Sequence, residues 1–154
     1  SSSVGHCEEM EGDETLFGGV QNPYLELSKW GWSIDPKGLR YLLNAVYRMY
    51  NKPVMVTENG LGAVDVLEED HTIHDDYRIE FVQSHLKYVH QAIQEGANCL
   101  GYHMWTCMDN WSWTNAYKNR YGFISVDLAN DGKRTIKKSG HWFKKLSDTN
   151  QFTI

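Results

Sequence analysis

The chain contains, at Pro53–Gly60, the stretch PVMVTENG. Its first five residues are a short, nearly all-apolar run, which is typical of a strand buried on both faces of a parallel sheet. A second run of this kind covers Cys99–Trp105. An ionisable residue, Glu58, follows the first run directly, and Asn59-Gly60 permits a tight turn there. The sequence therefore predicts two buried strands, the first of which presents a carboxylate at its end.

Helical patterns surround these strands, and the order helix, strand, helix, strand, helix predicts an α/β fold with parallel strands, either doubly wound or a (β/α)8 barrel. Two parallel strands cannot close a sheet, so we expect the chain to be a piece of a larger α/β domain. The other predicted elements are a long surface loop over 1–29, a helix from Asp35-Pro36 to Asn51, a helix from about Asp75 to Gly96, a hairpin of Tyr121–Val126 and about Thr135–Lys137 turned at Asn130–Gly132, and a short helix with Trp142, Phe143 and Leu146.

The composition is that of a soluble globular protein, with 41% hydrophobic and 23% charged residues in 154. The net charge of −5 argues against nucleic-acid binding through phosphate contacts. We expect neither membrane insertion nor a retained secretion leader, because the sequence has no long apolar run and no leader pattern. The three cysteines form no CxxC pair, which favours a cytoplasmic location.

Aromatic residues are frequent, with six Trp and nine Tyr. They fit a thick apolar core, and they also fit a sugar site, since the apolar face of a pyranose stacks on an indole ring. The second strand leads into Trp105, Trp111 and Trp113, while the first presents Glu58. In α/β barrels the reactive groups lie at the carboxyl ends of strands, so the two strand ends are predicted to form the floor of a saccharide site.

Three ordered motifs then resemble glycoside hydrolase family 1. The stretch Val56–Gly60 resembles its (I/V)TENG motif, and Trp30–Leu39 resembles its WGWxI-P-GL segment. Met104–Phe123 resembles its last strand and loop, W-xxx-DN…R(F/Y)G. The family builds a TIM barrel of more than four hundred residues. The resemblance implies that residues 1–154 are the C-terminal portion of one such barrel domain, with strands 7 and 8 and flanking helices, and that 1–29 is the loop after strand 6.

One position in the last loop favours a branch of this family. Ordinary β-glucosidases carry Glu before the Trp of DNxEW, whereas this chain carries Ser112. A hydroxyl can donate to a sugar phosphate that a carboxylate would repel. Phospho-β-glycosidases of the family share this Ser and continue with a K-R-Y run. Here the run reads Lys118-Asn119-Arg120-Tyr121, so Asn119 stands at the expected lysine and Lys118 comes one residue early.

The resemblance implies retaining hydrolysis of β-linked 6-phosphoglucosides, in which one carboxylate attacks the anomeric carbon and a second, about 5–5.5 Å away, protonates the leaving oxygen. The family's acid/base glutamate lies in an NEP motif, which this sequence lacks, so we expect the isolated chain to be inactive without the N-terminal remainder of the barrel. No cofactor and no metal are expected. By resemblance the site residues are Glu58 as nucleophile, Trp105 and Trp113 beside the glycone, Ser112, Lys118 and Tyr121 on the phosphate, and Trp32 towards the aglycone.

Other functions stay open at this point. An ordinary β-glucosidase is disfavoured by Ser112 and mildly favoured by Asn119, and Trp113 is also found in 6-phospho-β-galactosidases. An inactive sugar-binding or barrel-complementing fragment fits the missing acid/base residue. The predicted partners are a phosphorylated β-glycoside and the rest of the barrel, with no nucleic acid and no membrane. A homo-oligomer is left open.

Overall fold

The computed structural model describes residues 22–113 and 116–152, so most of the loop predicted over 1–29 lies outside the described residues. The chain divides into two compact units, Ser1–Asp35 and Pro36–Ile154. In the first unit, strands β1 (Glu26–Leu27) and β2 (Ser33–Ile34) pair antiparallel. The prediction of loop throughout was therefore wrong at β1, which forms because the Ser28 amide donates to the Trp32 carbonyl at 2.8 Å and closes a turn.

The second unit confirms the predicted order of helices and strands, with small shifts in their bounds. No helix in the described part of the chain has both the length and the apolar character needed to cross a membrane. The elements of this unit are α1 (Pro36–Tyr50), β3 (Val54–Asn59), α2 (Asp76–Gln94), β4 (Cys99–Met104), β5 (Ile124–Asp127), β6 (Lys133–Ile136) and α3 (Lys138–Thr149).

The apolar core lies on one face of the parallel pair β3–β4. Val56 of β3 points towards Leu43 of α1 and Val89 of α2, because both helices present their apolar stripes to the same side of the sheet. In the register, Val54 lies opposite Cys99 and Asn59 opposite Met104, with irregular pairing between them. The two strands therefore end at the same edge.

The other face of this sheet is open in the described chain. Met55 and Leu100 are exposed to 46% and 63%. The prediction that both strands are buried on both faces was therefore wrong for this chain, because α1 and α2 lie on one side and none of the described elements covers the other. The all-apolar strand sequence fits a sheet that is covered on both sides.

The predicted hairpin is confirmed as β5 and β6, which pair antiparallel with Ile124 opposite Ile136. Its turn contains Asp131 and Gly132, both with positive φ. β5 is shorter than predicted, and β6 begins and ends earlier than predicted. Tyr121 is not in β5, since its carbonyl accepts from the Arg78 side chain, and Lys137 is not in β6, since its buried ammonium binds two carboxylates before α3 begins.

A network of buried charges ties this unit together. Arg78 Nε donates to Asp75 Oδ2 at 2.9 Å. Lys137 Nζ donates to Asp65 Oδ2 at 2.5 Å and to Asp109 Oδ1 at 2.8 Å. These five side chains come from α2, the loop after β3, the loop after β4 and the start of α3, and they are almost fully buried. Buried charges need partners, so each of these segments is held in place by the others.

Gly60 lets the ends of β3 and β4 approach closely. A Cβ built on Gly60 would lie 1.9 Å from the backbone oxygen of Trp105. By contrast, a Cβ on Gly101 in β4 would meet nothing closer than His103 Cε1 at 3.9 Å. The first glycine is required by packing, and the second is not.

Gly60→Ala should lower the free energy of unfolding by about 1–3 kcal/mol, because the backbone of Trp105 must move to admit the methyl group. The matched control, Gly101→Ala, should change it by less than about 1 kcal/mol. Urea denaturation followed by circular dichroism measures both values. Equal effects of the two substitutions would contradict this account of the strand ends.

Lys137→Met should lower the free energy of unfolding by about 3–5 kcal/mol, because it leaves Asp65 and Asp109 buried without their shared cation. Lys144→Met is the control. It breaks an exposed pair with Asp148 at 2.6 Å, and it should cost less than about 1 kcal/mol. If urea denaturation gave the two variants similar stability, the buried network would not hold the unit together.

Candidate active site

Glu58 lies at the carboxyl edge of the parallel pair. It is the last residue but one of β3, and its side chain is exposed, whereas Val56 two residues earlier is buried. Because Asn59 lies opposite Met104, Glu58 sits beside the residues that follow β4. This is the edge at which α/β barrels place their reactive groups.

Asn59, next to Glu58, is fixed by a half-buried tyrosine. Tyr102 Oη donates to Asn59 Oδ1 at 2.6 Å, and burial raises the pKa of the Tyr102 phenol above its ordinary value. The phenol therefore stays protonated and continues to donate at neutral and moderately alkaline pH. Sequence reasoning missed this role, since Tyr102 reads only as one apolar residue of a buried strand.

Trp105 is the first residue after β4. Its backbone N–H donates to the Asn59 carbonyl at 2.9 Å, and its peptide bond to Thr106 is cis. The indole is 39% exposed. The structure thus brings the predicted glycone tryptophan to the segment that carries Glu58.

Ser112 and Trp113 lie on a separate turn of the loop after β4. Ser112 and Ala116 exchange backbone hydrogen bonds of 2.8 and 2.9 Å, which closes the turn. Ser112 is half-buried, and the Trp113 side chain is 99% exposed. Trp111 packs edge to face on Tyr117, with ring centroids 5.7 Å apart. A fully exposed indole is available to stack on a ligand.

The run from Lys118 to Tyr121 alternates between solvent and interior. Lys118 is exposed, Asn119 is completely buried, Arg120 is half-buried and Tyr121 is buried. Asn119 Nδ2 donates to Tyr121 Oη at 3.1 Å. The two residues thus form one buried polar pair beside the exposed ammonium.

This run is joined to the loop that follows Glu58. Ala63 and Arg120 exchange backbone hydrogen bonds of 3.1 and 2.7 Å. Gly62 leaves room for the Tyr121 ring, since a Cβ there would lie 2.5 Å from Tyr121 Cε1. Glu58, Trp105 and Tyr121 therefore lie on segments that hydrogen-bond to one another.

Arg78 of α2 fixes both segments at once. Its Nη1 donates to the carbonyls of Leu61 at 2.5 Å and Tyr121 at 3.0 Å, and its Nη2 donates to the carbonyl of Arg120 at 3.0 Å. Sequence reasoning missed this residue, although a signal was present. Arg78 lies on the same stripe of the α2 pattern as the buried Val82 and Val89, where a charged residue has to find partners.

Trp32, the predicted aglycone residue, belongs to the first unit, and its side chain is 51% exposed. Its backbone N–H donates to Ser28 Oγ at 3.1 Å, which holds the turn between β1 and β2.

The histidines of the loop before α2 bond locally. His74 Nε2 and Asp70 Oδ2 lie 2.8 Å apart, and this hydrogen bond lowers the pKa of the exposed Asp70 carboxyl. Within residues 22–113 and 116–152, no three His, Cys, Asp or Glu side chains form a group that could hold a metal ion.

Comparison with known proteins agrees with this geometry. Residues 3–152 match the family described as glycosyl hydrolase family 1. The 6-phospho-beta-glucosidase GmuD of Bacillus subtilis is 53% identical over 79% of this chain and 27% of its own length. The aryl-phospho-beta-D-glucosidase BglH of the same organism is 51% identical over 88% of this chain and 30% of its own length.

A solved structure leads to the same family. The family 1 β-glucosidase of Thermotoga maritima superposes with a TM-score of 0.83 at 34% identity, over 88% of this chain and 31% of that protein. The chain thus spans less than a third of the length of each of these relatives. An α/β barrel fragment is consistent with this likeness.

The resemblance seen in the three sequence motifs is confirmed by the match over almost the whole chain. The relatives are O-glycosyl hydrolases, and several carry 6-phospho-β-glucosidase names. This chain belongs to glycosyl hydrolase family 1.

Proposed function

We propose that this chain supplies strands 7 and 8 of a retaining (β/α)8-barrel hydrolase that cleaves β-linked 6-phosphoglucosides, within a single barrel domain in which residues 1–29 belong to the connection after strand 6. The carrying observation is the exposed Glu58 at the carboxyl edge of β3, beside Trp105 at the end of β4. The names of the curated relatives support the substrate class.

Glu58 acts as the nucleophile in this proposal. Its carboxylate oxygen bonds to the anomeric carbon as the bond from that carbon to the leaving oxygen breaks, and a second carboxylic acid protonates the leaving oxygen. Water then attacks the same carbon and gives its proton back to the second group, which releases Glu58. That second group must come from outside this chain, because the sequence contains no NEP motif.

The remaining site residues bind the substrate. Trp105 and the exposed Trp113 flank the glycone, and Trp32 faces the aglycone. The 6-phosphate is held by Ser112, Lys118 and Tyr121, which can supply two hydroxyls and an ammonium. No carboxylate occupies the position of Ser112, where it would repel the phosphate.

The partner that completes the site is the N-terminal part of the same kind of barrel. The open face of β3–β4, with Met55 and Leu100 exposed, is the surface that this part covers. The free thiols of Cys99 and Cys107 suit a cytoplasmic location.

An ordinary β-glucosidase is the second candidate. Two observations favour it: the likeness to the Thermotoga maritima β-glucosidase, and the neutral, buried Asn119 in place of a lysine. The two candidates differ in one measurable quantity, the preference for a 6-phosphate.

The first test uses a chimera in which this chain replaces the matching segment of GmuD. Its kcat/KM for 4-nitrophenyl β-glucoside 6-phosphate should exceed that for the plain glucoside about a hundredfold or more, which is roughly 2.7 kcal/mol in the transition state. Ser112→Glu should lower this ratio at least about tenfold by repulsion, and Ser147→Glu on the exposed face of α3 should leave it unchanged. A ratio of one or less would contradict the preference for a 6-phosphate and would favour an ordinary β-glucosidase.

Glu58→Ala tests the nucleophile in the same chimera. Hydrolysis should fall by about a thousandfold or more. Azide should then restore turnover, because the small anion attacks the anomeric carbon from the vacated side while nitrophenolate leaves with the bonding electron pair. The product should be the α-glycosyl azide, as shown by proton NMR.

Glu69→Ala, which removes another exposed carboxylate of the following loop, should retain wild-type hydrolysis. A β-configured azide product, or a Glu58→Ala variant of normal activity, would rule out Glu58 as the nucleophile.

A further inference from the structure

We propose that His103 of β4 is a positioning residue for Glu58, because its imidazole holds the irregular segment of β3 that contains this carboxylate. The inference rests on the proposed role of Glu58 as the nucleophile, and it adds to that role the side chain that fixes the direction of attack. It does not depend on whether the substrate carries a 6-phosphate.

Glu58 lies in a β-bulge of β3. Residues 56–59 of β3 pair with residues 102–104 of β4. Between these ends β3 contains two residues, Thr57 and Glu58, whereas β4 contains only His103, and two residues opposite one define a bulge. A regular strand turns successive side chains to opposite faces, but Thr57 and Glu58 are both exposed. The bulge therefore determines where the Glu58 carboxylate points.

A second bulge on β4 confines this irregularity to a short segment. Residues 54–56 of β3 pair with residues 99–102 of β4, so here β4 contains the extra residue. Gly101 lies in this second bulge, as is common for a glycine inside a strand. The two bulges cancel, and the pairing at Asn59 returns to the register of Val54. Because the regular ladder is interrupted between the bulges, other contacts must fix the backbone there.

His103 provides such a contact at the start of the Glu58 bulge. Its Nδ1 lies 3.2 Å from the carbonyl oxygen of Val56. Since a carbonyl oxygen only accepts, Nδ1 carries a proton and donates it. The ring lies on the open face of the pair, where a Cβ on Gly101 would lie 3.9 Å from His103 Cε1 and 4.0 Å from Met55 Cε.

The other end of the bulge is held separately. The Asn59 side chain accepts from Tyr102 Oη at 2.6 Å, and the Asn59 carbonyl accepts from the Trp105 backbone N–H at 2.9 Å. Loss of the His103 hydrogen bond would therefore release the segment before Glu58 and leave the segment after it in place. The carboxylate would then rotate away from its direction of attack, and a misplacement of about 1 Å costs on the order of a hundredfold in rate.

Three substitutions at this position test the proposal in the GmuD chimera, with whichever of the two nitrophenyl glucosides is cleaved faster. His103→Phe keeps a ring and removes the donor, and it should lower kcat about ten- to a hundredfold with little change in KM. His103→Asn places its Nδ2 where the imidazole Nδ1 lies, and it should retain kcat within about threefold. His103→Gln, whose amide reaches one bond further, should behave like His103→Phe.

His90→Phe is the matched control. It replaces an exposed histidine of α2 by the same residue, and its kcat should equal that of the unmodified chimera. If His103→Phe fails to fold, as judged by circular dichroism, the comparison of His103→Asn with His103→Gln gives the same test of the Nδ1 hydrogen bond.

Azide separates positioning of Glu58 from a general distortion of the site. In the Glu58→Ala chimera the attacking anion comes from solution, so the direction of β3 no longer matters for the attack. Addition of His103→Phe to this variant should change the azide-dependent rate by less than about twofold, because the two residues act as one unit. A histidine that only supported the fold of the site would lower this rate as much as it lowers hydrolysis.

The outcomes distinguish this inference from the proposed function. Unchanged hydrolysis in His103→Phe, equal losses in His103→Asn and His103→Gln, or an equal loss in the azide reaction would each refute the role of His103 and leave Glu58 as the nucleophile. Normal hydrolysis in Glu58→Ala would overturn the proposed function and this inference with it. A second chimera built on BglH provides the same readings if the first fails to fold.

Discussion

The structure depends on one requirement, the pairing of the buried Arg78 guanidinium. A charge in the interior is costly unless every donor finds an acceptor. The guanidinium meets this requirement with the carboxylate of Asp75, the hydroxyl oxygen of Tyr77 and the carbonyls of Leu61, Tyr121 and Arg120. These acceptors belong to three segments far apart in sequence. The loop after β3 and the run that ends in Tyr121 therefore cannot move apart without leaving a buried cation unpaired.

The same network explains a departure from helix-capping rules. Asp75 lies at the N-cap of α2 but makes no capping hydrogen bond with its side chain. Its carboxylate instead accepts from Arg78 and from the backbone and hydroxyl of Ser139 at the start of α3. Hydrogen bonds that join the two helices thus replace a local capping hydrogen bond, and they fix α3 against α2.

The pattern of apolar residues along the chain predicted those parts of the fold that depend on interactions between residues close in sequence. The strand at Val54–Asn59 follows from its nearly all-apolar run, and the helix at Asp76–Gln94 follows from apolar periodicity. The position of Glu58 follows from the end of that strand. Periodicity could not show that Lys137 leaves its strand, because its partners Asp65 and Asp109 are distant in sequence.

Two further features could not be predicted from the sequence, for similar reasons. The open face of β3–β4 was predicted to be buried, since apolar strand residues such as Met55 and Leu100 carry no information on whether their covering layer lies in the same chain. The sequence also could not predict that Asn119 points inward and Lys118 outward. The run that contains them is irregular and has no hydrophobic periodicity.

Because the run from Lys118 to Tyr121 alternates between solvent and interior, the length of the loop before it decides which of its side chains are buried. Successive side chains there point alternately to solvent and to the interior. Insertion of one residue between Ser112 and Lys118 would shift the pattern by one place, so that the Lys118 ammonium would enter the buried position and the Asn119 amide would leave it. An insertion or deletion in this loop could therefore replace an exposed charge, which salt screens, by a buried charge, which salt screens much less. No residue type would have to change.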